Sequence, residues 1–364
     1  MVDGKREEEF IPLDVVMNIL KRLPVKSLIR LKCVSKEWLK VLDGNHYFTQ
    51  EHLRHSAHNN AFLLLQRIPR QPRPLPFSSC LIAPDATLVH PLFTHIAAKI
   101  VASCNGLLCL RDKTHLSLFN PATRQIKHLP PTTLFGFHYV GFGFSPASND
   151  YKIVRISMCV FDQLDQVLIL DDVRVDRAQV YSLATGSWRE IDAVNLRPLC
   201  LVSSSVSTAG TIFWLATMAS DSDADSEFVV SFDIGRESFA LLNGPPLPPS
   251  PTLPYSNVLA VCNDKLAMFR HYIIGIFESC CFDLWVLEDV HTHTHTRARE
   301  SWVKMEELSR HDYRGLETVL SLFNPLTNEL KKLPAHTHDF CYVPFTYSES
   351  LVPLHNINSP STLH

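Results

Sequence analysis

Leu116-Ser-Leu-Phe-Asn-Pro-Ala-Thr-Arg-Gln-Ile-Lys-His-Leu-Pro130 recurs 204 residues later as Leu320-Ser-Leu-Phe-Asn-Pro-Leu-Thr-Asn-Glu-Leu-Lys-Lys-Leu-Pro334, with ten of fifteen positions identical. Each copy reads as strand, polar turn, strand. Asn-Pro suits the turn entry, because proline presets φ and needs no backbone donor. Weaker cousins lie between the twins: Val180-Tyr-Ser-Leu-Ala-Thr-Gly-Ser-Trp188, Val230-Ser-Phe-Asp-Ile-Gly-Arg-Glu-Ser-Phe239, and Leu284-Trp-Val-Leu-Glu288 leading to Ser301-Trp302. Four steps over 204 residues average about 51 per step, the scale of a propeller blade or a similar β array. Short apolar runs such as Gly106–Leu110, Tyr151–Ile156, Thr211–Leu215 and Phe228–Phe232, split by Asn, Asp, Gly, Pro and Ser, read as further strands. Asn263-Asp264, flanked by Val258–Cys262 and Lys265–Phe269, predicts a tight hairpin turn. Five or six divergent blades are expected, with a pair of β-sandwiches as the alternative.

The chain ahead of this array has a different period. Val15, Val16, Ile19, Leu20 and Leu23 recur at helical spacing until Pro24 stops the run, and Val25, Leu28, Ile29 and Leu31 continue it. A third helix is expected around Ser35–Leu42 and a fourth around Phe48–Leu53. So small a helical unit buries too little surface to be robust alone; it is either a cap on the larger domain or a bundle completed by a partner. Pro69, Pro72, Pro74 and Pro76 then mark a stiff linker or a surface loop.

The composition bounds the function. The 364 residues carry 34 Lys+Arg against 37 Asp+Glu, a net charge of −3, which gives no whole-chain field for nucleic acid. No apolar run approaches the ~20 residues of a membrane span, and no apolar signal core opens the chain. Charge is unevenly placed: seven basic residues and one acid, Glu37, lie between Lys21 and Lys40. That is either a solvated helical face or a surface for an acidic partner. Ten scattered cysteines without CxxC spacing read as small buried hydrophobes in a reducing compartment, cytoplasm and/or nucleus.

Phe10–Trp38 resembles an F-box, through Pro12, Ile19-Leu20, Leu23-Pro24, Lys26-Ser27-Leu28, Val34-Ser35-Lys36 and Trp38. The downstream chain is similar to the F-box-associated, kelch-like domain of plant F-box proteins, through Ser103–Cys109, Asn120–Thr123, Gly141–Phe144, Asp150–Arg155, Val180–Leu183, Ser187-Trp188 and Ser350–Val352. The 12 glycines include no Gly-Gly doublet, so the usual kelch signature is missing. The fold class this implies is α+β and multidomain, a small helical F-box followed by a mostly-β, propeller-like domain. The expected division is a flexible 1–9, an F-box at 10–56, a linker and first strand region at 57–95, the F-box-associated domain at 96–355, and a tail at 356–364. The resemblance implies the substrate receptor of a Skp–cullin–F-box ubiquitin ligase, non-catalytic and without cofactor. Pro12, Leu20, Leu23, Pro24, Leu28, Leu31, Val34, Lys36 and Trp38 would fall in the motif that binds the Skp adaptor and, through it, cullin. The protein substrate is not readable. Two departures stand out: Ile11 replaces the usual Leu, and Trp302 lies only 21 residues before Phe323, where the family has further strands. A missing hairpin there would leave a sheet edge open.

His291, His293 and His295 of the run His291-Thr-His-Thr-His-Thr296 would share one face of a strand and could ligate a metal; a low-complexity insert without metal is the expectation. Gly141-x-Gly143 lacks the third glycine of a dinucleotide site, which leaves strand packing. Trp188, Trp214, Trp285 and Trp302 are expected in blade core rather than on a recognition surface. A β-propeller enzyme or small-ligand binder with a helical cap remains a second class of function, and the product of a damaged gene a third.

Overall fold

Two prolines punctuate the N-terminal helices of the computed structural model. It describes residues 11–354 except 43–44, 60, 70–76, 84, 86, 94–97, 114, 135–136, 161–172, 219–226, 247–254, 275–278, 289–300, 311–318, 325–328 and 337–339. Pro12 precedes α1 (Leu13–Leu20) and Pro24 precedes α2 (Val25–Lys32), both with extended ψ. Their carbonyls accept the first helical bonds, from Val15 and Val16 and from Ser27 and Leu28. A proline costs nothing there, since the first helical N–H groups lack intrahelical partners anyway. Ser35 Oγ accepts from Trp38 N at the start of α3 (Lys36–Leu42), and Asn45 Oδ1 from Phe48 N at the start of α4 (His46–Asn59). Both are side-chain N-caps. Leu20, Val25, Leu28, Leu42 and Phe48 close a small core between the helices.

Antiparallel sheets follow. β1 (Phe62–Pro69), β2 (Ser78–Ile82) and β3 (Leu88–Phe93) belong to the first, and β4 (Lys99–Cys104), β5 (Leu107–Asp112), β6 (His115–Asn120) and β7 (Gln125–His128) to the second. β8 (His138–Ser145), β9 (Asp150–Val160), β10 (Val173–Ser182) and β11 (Ser187–Ile191) form the third. The fourth holds β12 (Leu199–Leu201), β13 (Val206–Thr208), β14 (Thr211–Met218), β15 (Glu227–Asp233) and β16 (Ser238–Asn243). The fifth holds β17 (Tyr255–Cys262), β18 (Lys265–Ile274), β19 (Ser279–Glu288) and β20 (Ser301–Arg310). After the two-stranded β21 (Val319–Asn324) and β22 (Glu329–His336), β23 (Phe340–Tyr347) returns to pair with the whole of β1, Phe62 opposite Tyr347.

The five larger sheets are the blades of a β-propeller, and the sandwich alternative is set aside. Consecutive blades meet through their first strands: β23 with β4, β4 with β8, β8 with β13, and β13 with β17. Residues 57–95, expected as linker and first strand region, hold the end of α4 and three strands of the first blade. The twin repeats have unequal settings. β6–β7 is the outer half of a four-stranded blade, whereas β21–β22, among the described residues, pairs with no other strand. The short spacing after Trp302 thus shows as a hairpin without the two inner strands its twin has. The His291–Thr296 run lies outside the described residues.

Local chemistry explains the joints. Asn263 and Asp264 both have positive φ, the conformation that a two-residue hairpin turn requires. A Cβ on Gly141 would lie 2.2 Å from the Trp214 ring, so glycine lets β8 press against β14; this is strand packing, as expected. Trp214 is fully buried in the largest core cluster, with Ile156, Val180 and Ile212. Trp188 and Trp302 have a repeated role: Trp188 Nε1 donates to Pro130 O just after β7, and Trp302 Nε1 to Asn243 O at the end of β16. Each ties its own outer strand to the outer strand of the preceding blade.

Candidate functional site

The helical unit packs on one end of the propeller, the end carrying the tight turns. Strand direction sorts the connections. The β4–β5, β6–β7, β8–β9 and β10–β11 turns face α4 across a cleft of ≈ 720 Å³, lined by His46, Gln50 and Leu53 on one side and Asn105, Gln125 and Asn149 on the other. His46 Nε2 and Asn149 Oδ1 approach to 2.6 Å across it. The strands that lead on to the next blade, β7, β11 and β16, run toward the opposite end.

The segment after β23 fastens the two parts together. Asn120 Nδ2 donates to the carbonyls of both Ser350 and Val352, and Gln125 Oε1 accepts from Leu354 N. Gly106 has positive φ, and a Cβ there would collide with Ser348 O at 2.1 Å, so only glycine admits the segment. On its other side the segment enters the helical unit. Glu349 Oε2 accepts from Val25 N at 2.8 Å, so a carboxylate 324 residues away caps α2, where no local side chain does. That placement also favours the positive end of the helix dipole. Leu351 fills the core of the helical unit beside Leu20, Leu28 and Phe48. His52, also buried, approaches Leu23 O with Nε2 at 3.0 Å.

The outer surface of the helical unit is apolar and basic. Val15 and Ile19, one helical turn apart on α1, are 46% and 53% exposed, and Val34 is 69% exposed. Leu13 and Tyr47 rim a groove of ≈ 580 Å³ between α1 and α4. Arg22, Lys26, Arg30, Lys36 and Lys40 are exposed. Of the residues that the family resemblance puts in adaptor contact, Pro12, Pro24, Val34 and Lys36 are exposed, and Leu23, Leu31 and Trp38 are half-buried. Leu20 and Leu28 lie in the core. Sequence reasoning missed the exposure of Leu13, Val15, Ile19 and Tyr47. The signal was available for α1: Val16, Leu20 and Leu23 make one stripe, which leaves Val15 and Ile19 on another.

No helix among the described residues is long and apolar enough to cross a membrane. Cys104 and Cys109 are thiols whose pKa burial pushes up to about 12, which makes them packing residues rather than nucleophiles.

Comparison with known proteins matches this division. The model of the F-box domain matches residues 10–49, and the F-box associated beta propeller domain matches residues 82–321. The F-box protein CPR1 of Arabidopsis thaliana is 25% identical over 318 residues, covering 81% of this chain and 72% of its own. Another Arabidopsis thaliana F-box protein is 28% identical over 250 residues, 65% of this chain and 62% of that protein. Among solved structures, dipeptidyl peptidase 4 of Porphyromonas gingivalis superimposes with a TM-score of 0.37 at 9% identity, over 76% of this chain and 50% of that one, a likeness too slight to carry an argument. The chain therefore belongs to the F-box proteins that carry an F-box associated beta-propeller domain.

Proposed function

We propose that this chain is the substrate receptor of a Skp–cullin–F-box ubiquitin ligase, acting by proximity and without catalytic groups, metal or cofactor of its own. The observation that carries the reading is the exposed apolar stripe of α1, on a helical unit that also exposes five cations and is fastened to a propeller. An exposed apolar stripe on a unit that also exposes these cations fits an acidic adaptor, with the charges speeding encounter and the apolar residues supplying affinity. Val15, Ile19, Val34 and Lys36 make the contact; Leu20 and Leu28 support it from inside. The target protein binds the end of the propeller opposite the helical unit, away from the adaptor. Holding both raises the target's effective concentration beside the ubiquitin-charged enzyme. Free thiols inside the propeller support a reducing compartment, cytoplasm and/or nucleus.

Co-purification of the full chain with a Skp adaptor tests this. A Val15→Asp, Ile19→Asp double variant is expected to lose adaptor capture while its melting temperature stays within a degree or two of the parent, because both side chains are exposed. Leu28→Ala should cost about 2–5 kcal/mol of stability through the cavity it leaves. Unchanged capture by the double variant would refute the docking surface.

A further inference from the structure

Lys99 and Arg111 stand directly opposite each other in the β4–β5 register, a position where like charges repel. Both are half-buried. Arg111 Nη1 donates to the carbonyl of His138 at 3.2 Å, and Arg155 Nη2 donates to Nδ1 of the same histidine at 3.1 Å. A guanidinium can only donate, so His138 accepts at Nδ1 and carries its proton on Nε2. Arg155 is 2% exposed, and its Nε is buried without a hydrogen-bond partner. Burial lowers the pKa values of Lys99 and Arg155, and the charge of Arg111 lowers both further.

Elsewhere Lys152 pairs with Glu237 and Lys304 with Asp283, and the buried Arg270 spends its guanidinium on the carbonyls of Pro245 and Pro246 and on Asn257 Oδ1. Among the described residues no carboxylate forms an ion pair with Lys99, Arg111 or Arg155; the acid nearest in sequence, Asp112, is exposed. A buried cation without a counter-charge is costly, and an orphaned buried donor calls for an acceptor. Lys99, Arg111 and His138 lie where β4, β5 and β8 end, at the side of the propeller away from the helical unit.

We propose that Lys99, Arg111 and Arg155 form a seat for an oxyanion, the carboxylate or phosphate group of a substrate segment that enters from the end opposite the helical unit. This rests on the substrate-receptor reading and narrows the substrate to one presenting an acidic segment. Arg111 and Lys99 meet the incoming group first, and Arg155 supplies the buried donor that completes its shell. Charge-assisted bonds from partly desolvated donors are strong.

The test uses the full chain with its adaptor. Melting temperature is followed during titration with inorganic phosphate against sodium chloride at constant ionic strength. Anisotropy is then read on two labelled peptides, one rich in glutamate and one carrying phosphoserine, beside glutamine and serine controls. A saturable rise in melting temperature is expected, with phosphate bound about tenfold more weakly by Arg111→Gln and by Lys99→Gln. Arg236→Gln, in the β15–β16 turn at the other end of the blades and already paired with Asp233, should bind like the parent. If Arg111→Gln fails to fold, Lys99→Gln and Arg111→Lys carry the comparison. Binding of either charged peptide over its control supports the seat and names the source of the oxyanion. Absence of a saturable phosphate effect, an equal effect in the variants, or binding of neither peptide would overturn it. So would a gain in phosphate affinity when Asp162, Asp165, Asp171 and Asp172 of the β9–β10 connection become Asn, because the chain's own acids would then be the occupant. Adaptor capture measured alongside separates the two ideas: a chain that captures adaptor but binds no oxyanion loses the seat and keeps the receptor reading.

Discussion

Asn120 shows how much one side chain of the repeat has to do. Its Oδ1 accepts from the backbone N–H groups of Ala122 and Thr123, which is the turn chemistry that Asn-Pro announced. Its Nδ2 holds Ser350 and Val352, which nothing in the repeat announced. Asn120→Ala should therefore cost more than a surface turn residue would, about 1–3 kcal/mol for buried carbonyls left unpaired, read by chemical denaturation. His52 gives a pH dependence. Burial is the main cause lowering its pKa below 6.5, partly offset by its bond to Leu23 O and by Glu349. The unfolded chain takes up the proton first, so stability from this residue is full above about pH 6.5 and is lost as pH falls through the lowered value. Helical-unit stability should fall on acidification over that window, and His52→Gln should flatten the dependence. An unchanged profile in that variant would remove His52 from the account.

At the scale of elements, the propeller is held by repeated devices that the sequence marks without explaining. Ser187-Trp188 and Ser301-Trp302 are visible as markers; the bonds from Trp188 to Pro130 and from Trp302 to Asn243 make each a tie between adjacent outer strands. Trp188→Phe and Trp302→Phe should each keep the ring packing and lose about 1 kcal/mol, measurable as a lower denaturation midpoint with unchanged slope. The joint is a second such element. Leu351→Ala should cost about 2–5 kcal/mol, and Glu349→Ala, which uncaps α2, about 0.5–2 kcal/mol. Both should loosen the helical unit before the blades, seen as faster amide exchange in α1–α4 with β8–β10 still protected. Uniform loss of protection would mean that the joint is not a separate stabilising element.

For the whole molecule, the consequence is that the two parts are not independent. Fragments 1–60 and 61–364 divide adaptor binding from target binding on the receptor reading, but the first lacks Glu349 and Leu351 and the second exposes Leu351. The 1–60 fragment should thus be much less stable than the same helices in the full chain, and adding adaptor should restore its helicity by mass action. Circular dichroism with and without adaptor checks this; a fragment as stable alone as in the full chain would show that the joint contributes nothing. The same joint fixes where the adaptor lies relative to the far end of the propeller, and so where a bound target is presented.

The sequence by itself determined the periods. A helical stripe broken at Pro24, strands punctuated by Asn-Pro and Asn263-Asp264, and a repeat of about 51 residues follow from local rules of backbone and hydropathy, and those rules act over a few residues. The glycine pair Gly141-x-Gly143 was legible as packing for the same reason. Only the tertiary structure decided which apolar residues of the helical unit are core and which are surface, since a stripe has no sign until something packs against it. It also decided that β23 closes the first blade, that Glu349 caps α2, and that Lys99, Arg111 and Arg155 gather with no carboxylate paired to them among the described residues. Those contacts join residues tens to hundreds apart, and their energies depend on burial and on neighbouring charge, quantities that exist only once the chain has folded.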